Sequence, residues 1–293
     1  MDARARRLVW VSVGPGALYL LVFFAIPLVL IVRYALAPPT AGGGVGSGWS
    51  LDALRAVANP DYARILLRSA ALAAVTTGLT LVVAFPVAWA IAGMERRRQV
   101  LPLLVIVVPA WINLLIKNYA WIIILRREGL LNGLLVWTGL AREPLPLLFN
   151  EGAVVVGLAH SYLPFMLLPI YAALERLDPR LIEAARDLGA RPAQVFRRVL
   201  WPHSLSGVAA GCTFVFVLAL GSFVTPDLLG GARGMMIGNV IQNQILQVRN
   251  WPLGAALSVV LMVVVVGAIG ALAGVGWGRG RRARDRRTAA VGG

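Results

Sequence analysis

The sequence has 293 residues, of which 59% are hydrophobic and 14% are charged, and its formal net charge is +15. An ordinary soluble domain carries roughly 25% charged residues, so this composition excludes a soluble globular protein. The single cysteine, Cys212, excludes an intrachain disulfide, and arginines clustered beside apolar runs are typical of membrane topology signals rather than of nucleic-acid binding.

Six apolar runs follow one another along the chain, and each approaches the roughly 20 residues that cross a bilayer core. A helix satisfies every backbone polar group within its own segment, as hydrocarbon requires. The runs therefore predict an all-α polytopic membrane protein whose transmembrane domain covers 9–276, between an N-terminal tail at 1–8 and a basic C-terminal tail at 277–293. The six predicted transmembrane helices cover 9–33, 70–93, 101–125, 153–174, 204–226 and 253–276.

The connections between the first four predicted helices carry patterns of their own. Residues 41–48 are mostly glycine, which indicates a flexible tether. Residues 51–68 carry leucines at helical spacing, and residues 129–140 are patterned in a similar way. We therefore expect both of these segments to form short helices on the membrane surface.

The arginines set the orientation of these helices. With the N-terminus placed in the cytoplasm, 18 of the 27 arginines fall in the two tails and in the connections 94–99 and 175–203, although the outer connections are longer. Positively charged residues concentrate on the cytoplasmic side of membrane proteins. The sequence therefore predicts that both termini lie in the cytoplasm.

The segment 175–203 follows the fourth predicted helix, is too polar to span a membrane, and is patterned as two short helices. Asp178–Pro179 is typical of a helix start, because aspartate caps free amides and proline suits the first helical position. Gly189 is placed to end that helix, since glycine accepts the left-handed conformation. Arg191–Pro192 begins a second helix, and we expect Pro202 to end it.

Two interpretations of this segment follow from its residues alone. A basic amphipathic hairpin can lie on the membrane surface with its arginines near anionic lipid. Alternatively, a short patterned helix can dock into a groove of a soluble partner.

A known motif lies within the segment: Glu183-Ala184-Ala185, then Gly189 after three residues, then Val199-Leu200-Trp201-Pro202. This string resembles the EAA loop of bacterial ABC importer permeases, whose pattern is E-A-A, three residues, G, nine residues and I-x-L-P. The resemblance implies a type I ABC importer permease fold in which 181–189 is a coupling helix seated in a groove of the ATPase. The residues that it assigns to docking are Leu181, Glu183, Ala184, Ala185, Asp187, Leu188, Gly189 and Pro202.

Further stretches, at 117–133, 223–231, 236–239 and 251–256, resemble permeases of the spermidine/putrescine type. This resemblance implies a multi-pass subunit of the bacterial inner membrane. It also implies that the subunit translocates a polyamine or a related small organic solute, which a periplasmic solute-binding protein delivers.

The chain lacks the lysine-containing loop that binds nucleotide phosphates. That loop needs a lysine after a glycine-rich turn, whereas the only lysine, Lys117, follows Ile116 inside an apolar run. ATP and Mg²⁺ are therefore expected on a separate ATPase subunit. Because an ATPase dimer presents two grooves, a second permease subunit is implied, either a copy of this chain or a paralogue. We predict no catalytic residue, no metal site and no cofactor in the chain itself.

Polar residues inside apolar helices are costly and often line a pathway. Structural roles stay open, because Lys117 lies roughly 25 Å along its helix, where it can reach the outer interface, and Ser222 and Thr225 can bond their own backbone. The candidates for the translocation path are Asn113, Lys117, Asn118, Tyr162, Ser222 and Thr225, and those for an outer gate or a binding-protein contact are Asn239, Gln242, Asn243 and Gln244.

Two other classes of protein remain as alternatives. An ion-coupled secondary transporter or channel would be favoured by paired acids within the membrane, which the apolar runs lack. A membrane-embedded enzyme needs a nucleophile with a base, or a metal site, and the two histidines, His160 and His203, are not accompanied by clustered acids.

Overall fold

The computed structural model of the chain describes residues 13–40, 42–231, 234–267 and 269–270, and the regular elements of this part are helical. The predicted tails at 1–8 and 277–293 lie outside the described residues. The helices are α1 (Val13–Ala35), α2 (Asp52–Val57), α3 (Pro60–Ala92), α4 (Arg96–Trp111), α5 (Leu114–Leu125), α6 (Leu130–Trp137), α7 (Glu151–Glu175), α8 (Pro179–Asp187), α9 (Pro192–Leu220), α10 (Ile237–Leu246) and α11 (Trp251–Gly267), with a separate π-turn at Pro226–Gly230 between α9 and α10.

Four helices in the described part of the chain, α1, α3, α7 and α9, are long and apolar enough to cross a membrane. The bent run from α4 to α6 makes a fifth if it is counted as one span. α11 is a shorter apolar helix that overlaps the predicted helix at 253–276, and residues 268 and 271–276 of that prediction lie outside the described residues. Most apolar side chains of α1 are exposed in the isolated chain, as expected for a helix that faces lipid.

The predicted helix at 101–125 is bent rather than straight. α4 and the helical run that follows it meet at 97°, and Ile112 and Asn113 between them are extended, with ψ of 138° and 135°. Pro109 lies in the 3-10 turn that ends α4. The Asn113 Oδ1 atom accepts a hydrogen bond from the Leu115 amide at 2.8 Å and starts α5. Proline and a capping asparagine therefore break an otherwise uniform apolar run.

The chain divides into two compact units, one of them Arg64–Asn239 and the other made of the residues that flank it. The flanking unit has a small core of alanines, Ala35, Ala53, Ala255 and Ala256. Residues 42–48, within the stretch expected to be a flexible tether, form a hydrogen-bonded turn in which the Gly44 amide donates to the Arg249 carbonyl at 2.8 Å.

The Arg64–Asn239 unit is built on the packing of α7 against α9. A Cβ added at Gly207 of α9 would collide with the Pro169 carbonyl of α7 and lie 2.8 Å from the Ala173 Cβ atom. At Gly211, a Cβ would lie 2.8 Å from the Met166 sulfur. Small residues at these positions therefore let the two helix backbones approach closely, as is common between membrane helices.

Candidate functional site

α8, the first short helix of the segment 175–203, has a cap at each end. The Asp178 Oδ1 atom accepts a hydrogen bond from the Arg180 amide at 3.0 Å. At the other end, Gly189 has a φ of 77°, its amide donates to the Arg186 carbonyl at 2.8 Å, and the Ala190 amide donates to the Ala185 carbonyl at 3.0 Å. These two bonds and the left-handed glycine form a Schellman motif. The predicted turn at Gly189 is present as expected.

The second helix of the segment departs from the prediction. The Arg191 amide donates to the Gln194 side chain at 2.8 Å where α9 begins. The helix then widens into a π-turn at Phe196–Leu200 and continues through Pro202 as far as Leu220. The expectation that Pro202 ends this helix is therefore wrong. Proline lacks an amide hydrogen and crowds the carbonyl four residues before it, and the wider π-turn accommodates that crowding.

The two faces of α8 differ in exposure. Ile182 is half-buried and packs against the core of the Arg64–Asn239 unit. Glu183 and Leu181 are exposed, and Leu188 at the end of the helix is 89% exposed. A leucine with so little cover is a candidate contact for a partner, because an apolar side chain gains free energy when it leaves water.

An aromatic cluster anchors the segment. Phe85 near the end of α3 packs edge-on against Phe196, with ring centroids 5.5 Å apart, and lies 5.8 Å from Trp201. Phe196 and Trp201 also contact each other at 6.1 Å. The start of α9 is therefore held against α3 as well as α7.

Polar contacts add to this anchor, and the sequence analysis missed them. The Tyr171 hydroxyl donates to Gln99 Oε1 at 2.8 Å, and Gln99 Nε2 donates to the Met94 carbonyl at 2.9 Å. Nearby, Arg96 and Glu175 form an exposed ion pair at 3.7 Å. Tyr171 and Gln99 are 72 residues apart, so no local pattern could have paired them.

The structure places the three path candidates of the bent run differently. Asn113 caps α5, which gives it a structural role. Lys117 and His160 line a small cavity of about 140 Å³, together with proline and aliphatic side chains. Asn118 is fully buried and its Nδ2 donates to the Leu114 carbonyl at 3.0 Å, whereas its Oδ1 has no hydrogen-bond partner among the described residues.

Four candidates from different parts of the chain lie near α7. Tyr162 of α7 is close to Ser222, which follows α9. Asn118 and Thr225 meet at Gly157 of α7, where an added Cβ would lie 3.6 Å from Asn118 Oδ1 and 2.9 Å from Thr225 Cγ2. The Thr225 hydroxyl is also buried without a hydrogen-bond partner in the part of the chain that the structure describes. Buried polar atoms of this kind are rare and call for an explanation.

The candidates for the outer gate or the binding-protein contact also differ from one another in burial. Asn239 is buried: its Oδ1 accepts from the Met236 amide at 3.0 Å, and its Nδ2 donates to the Phe223 carbonyl at 2.8 Å. It therefore ties two loop segments together. Gln242, Asn243 and Gln244 are half-buried on α10.

Two further hydroxyls, those of Ser69 and Ser161, are buried in the described helices, and only the helix packing shows their surroundings. The Ser69 hydroxyl of α3 accepts a hydrogen bond from the Ile237 amide at 2.8 Å and donates to the Ile65 carbonyl at 2.7 Å. The Ser161 hydroxyl, on α7, is buried with no partner among the described residues. Ser69 was not singled out from the sequence, since serine is common in membrane helices.

Comparison with known proteins gives matches over most of the chain. The protein-family model described as "Binding-protein-dependent transport system inner membrane component" matches residues 66–275. The spermidine/putrescine transport system permease protein PotB of Escherichia coli K12 is 38% identical over 247 residues, which cover 84% of this chain and 90% of PotB. The protein of the same name from Haemophilus influenzae is 36% identical over 247 residues, which cover 84% of this chain and 86% of that protein.

A solved structure shares the fold. It is the bacterial alginate ABC transporter in complex with an alginate pentasaccharide-bound periplasmic protein, one chain of which superposes with a TM-score of 0.72. The superposition covers 92% of this chain and 94% of that chain at 18% sequence identity. At this identity the likeness concerns the fold alone, and it confirms the all-α importer-permease fold predicted from the sequence.

Proposed function

Because the chain belongs to the family of inner-membrane components of binding-protein-dependent transport systems, we propose that its segment 175–203 docks onto the ATPase subunits that power transport. The chain is a permease subunit of an ABC importer, so it is a transport component rather than an enzyme, and it resides in the inner membrane. Membership of this family favours the importer over the ion-coupled transporter and the membrane-embedded enzyme.

The observation that carries the docking proposal is the build of α8. It is a short helix with a firm cap at each end, it is fixed to the core through Ile182, and it presents Leu181, Glu183 and Leu188 outward. A capped amphipathic helix of this kind fits a groove on a soluble partner. The polar contact would come from Glu183, and Ala184 and Asp187, which are also exposed, would permit close approach and further polar contact.

The continuity of α9 provides a route from the docking site into the membrane. α9 runs from Pro192 to Leu220 and packs against α7 over much of its length. When the ATPases close and separate, a rigid displacement of α8 and the start of α9 would move the membrane part of α9 with it. Rigid-body movement of packed helices is a common basis of alternating access.

The partners follow from this arrangement. An ATPase dimer would hold ATP and Mg²⁺ and would engage one coupling helix from each of two permease subunits, the second being a copy of this chain or a paralogue. An extracytoplasmic solute-binding protein would deliver the solute, and Gln242, Asn243 and Gln244 are the proposed contacts or gate residues on α10.

We propose a polyamine as the solute, because PotB relatives named for spermidine and putrescine are 36–38% identical over 84% of this chain. The proposed path residues are Asn118 and Thr225, whose buried polar atoms lack partners among the described residues, with Tyr162 and Ser222. The aromatic face of Tyr162 suits an ammonium group. Uptake of labelled spermidine by the reconstituted importer, with an inorganic oxyanion as the comparison solute, tests this assignment.

Charge reversal at the docking helix tests the docking proposal. Glu183→Arg is expected to remove the ATPase from the purified permease and to abolish ATP-driven uptake, because it places a cation where the groove receives an acid. Membrane insertion should stay intact, since Glu183 is exposed. Co-purification of the ATPase and uptake in proteoliposomes are the measurements.

The matched control is Glu143→Arg, which reverses the charge of an exposed glutamate outside the segment. It should leave ATPase retention unchanged. Normal ATPase retention and uptake by the Glu183→Arg protein would refute the docking proposal.

A further inference from the structure

A cavity of about 370 Å³ lies between the end of α7 and the part of α9 from residue 203 to residue 210. Arg176, His203 and Ser206 give it a polar part, and Pro169, Ala172 and Ala210 are among its apolar lining. Arg176 directly follows α7 and His203 lies in the first part of α9. The cavity is therefore bordered by the two ends of the segment 175–203.

The polar part of the cavity is suited to an anion. The neighbouring acid, Glu175, is paired with Arg96 rather than with Arg176. Arg176 itself has no ion-pair partner in the part of the chain that the structure describes. His203 Nδ1 lies 2.7 Å from the Val199 carbonyl, and since a carbonyl only accepts, Nδ1 is the donor. In the neutral ring the Nε2 atom is then an acceptor, so the donors that the cavity offers to an anion are the Arg176 guanidinium and the Ser206 hydroxyl.

The apolar part of the cavity is formed by small side chains. α7 and α9 are in backbone contact at Gly207, and the alanines on either side of this contact leave a slot that is not filled by any side chain that the structure describes. An apolar slot beside a cationic group is the arrangement that an amphiphile needs. Its charged head would contact Arg176 and its hydrocarbon would contact the alanines.

We propose that this cavity binds the phosphate head group of an anionic phospholipid. Basic pockets between membrane helices on the cytoplasmic side are known to hold such head groups. A polyamine is disfavoured because Arg176 would repel it.

A lipid bound in this cavity would restrain the segment 175–203. A head group that contacts both Arg176 and Ser206 joins the residue where the segment leaves α7 to the helix into which it leads. The bound lipid therefore restrains the base of the segment. The lipid-binding readout below does not depend on the ATPase, so failure of this proposal is distinguishable from failure of the docking proposal.

The experiment is native mass spectrometry of the full-length chain released from nanodiscs that contain phosphatidylcholine with a minority of phosphatidylglycerol. The wild-type protein should retain phosphatidylglycerol in preference to phosphatidylcholine. Arg176→Gln should lower that preference about fivefold, the effect of one arginine at an anionic surface. Ala172→Leu, which fills the slot without a change of charge, should lower it as well.

The matched control is Arg97→Gln, which removes an exposed arginine that does not line the cavity and should leave the preference unchanged. Equal retention of both lipids by the wild type, or an equal loss from Arg97→Gln and Arg176→Gln, would overturn the proposal. Soluble glycerol phosphate is added in a further experiment as a competitor. If this head group alone displaces the lipid at matched concentration, the cavity is a site for a soluble solute and the lipid proposal is overturned. Thermal unfolding confirms that each variant is folded.

Discussion

The segment 175–203 and the α7–α9 packing beside it are held together by different kinds of contact. In the segment, the caps join residues a few positions apart, as in the bond from the Arg180 amide to Asp178. In the packed region, Gly207 meets Pro169, and Tyr171 reaches Gln99 across 72 residues. From this difference we expect that the exposed surface of α8 can change without loss of the fold, whereas the α7–α9 packing cannot.

The largest effect is expected where the two backbones touch. Gly207→Ala places a Cβ against the Pro169 carbonyl, which is backbone and cannot move aside. Overpacking of this kind costs about 1–3 kcal/mol. Thermal unfolding of the purified chain should show the loss, with a decrease in both yield and transport.

Gly78→Ala is the matched control for this change. Gly78 lies inside α3, and a Cβ there has nothing within 4 Å, so alanine should be neutral or should stabilise the helix by up to about 1 kcal/mol. Equal destabilisation by the two substitutions would show that close helix approach is not what Gly207 provides.

Asn239→Ala is expected to have the next largest effect. It removes the hydrogen bonds to the Met236 amide and the Phe223 carbonyl and leaves both backbone groups without that partner. An unsatisfied buried group costs about 1–3 kcal/mol. The measurement is again the unfolding temperature, and Gln242→Ala on the same helix, at a half-buried position, should change it much less. A role of Asn239 in gating alone predicts altered transport at unchanged stability.

Gly189→Ala tests the segment 175–203 rather than the α7–α9 packing. Nothing lies within 4 Å of a Cβ at Gly189, so the cost comes only from its φ of 77°, which is about 1–2 kcal/mol for a residue with a side chain. The strain is local, so we expect weaker ATPase retention with a nearly unchanged unfolding temperature of the membrane part. Gly189→Asn should retain more ATPase than alanine does, because asparagine tolerates this conformation. If Gly189→Ala lowers the unfolding temperature as much as Gly207→Ala does, the segment 175–203 and the α7–α9 packing do not differ in their contribution to stability.

The smallest effects are expected from the contacts around the base of the segment. Tyr171→Phe removes the hydrogen bond to Gln99 and should cost about 1 kcal/mol. Arg96→Gln breaks an exposed ion pair with Glu175 and should cost less than about 0.5 kcal/mol. Chemical denaturation of the two variants checks this order, and its reversal would mean that the ion pair is less screened than its exposure indicates.

The sequence by itself determined the class of the molecule and the position of the helix α8. Apolar runs require helices in a membrane because no water is present to bond the backbone. The start and end of α8 depend on Asp178 and Gly189, whose effects extend over a few residues and need no distant partner. The spacing of Glu183 from Gly189 was therefore enough to identify the motif.

Only the tertiary structure decided what the polar residues inside the helices do. Asn113 and Asn239 bond to backbone, Asn118 and Thr225 meet at Gly157, and the apolar run at 101–125 is bent. The structure also showed that α9 continues through Pro202, because a π-turn absorbs the crowding. These outcomes depend on which groups distant in sequence come together, and in an apolar chain hydrophobicity is too uniform to specify those pairings.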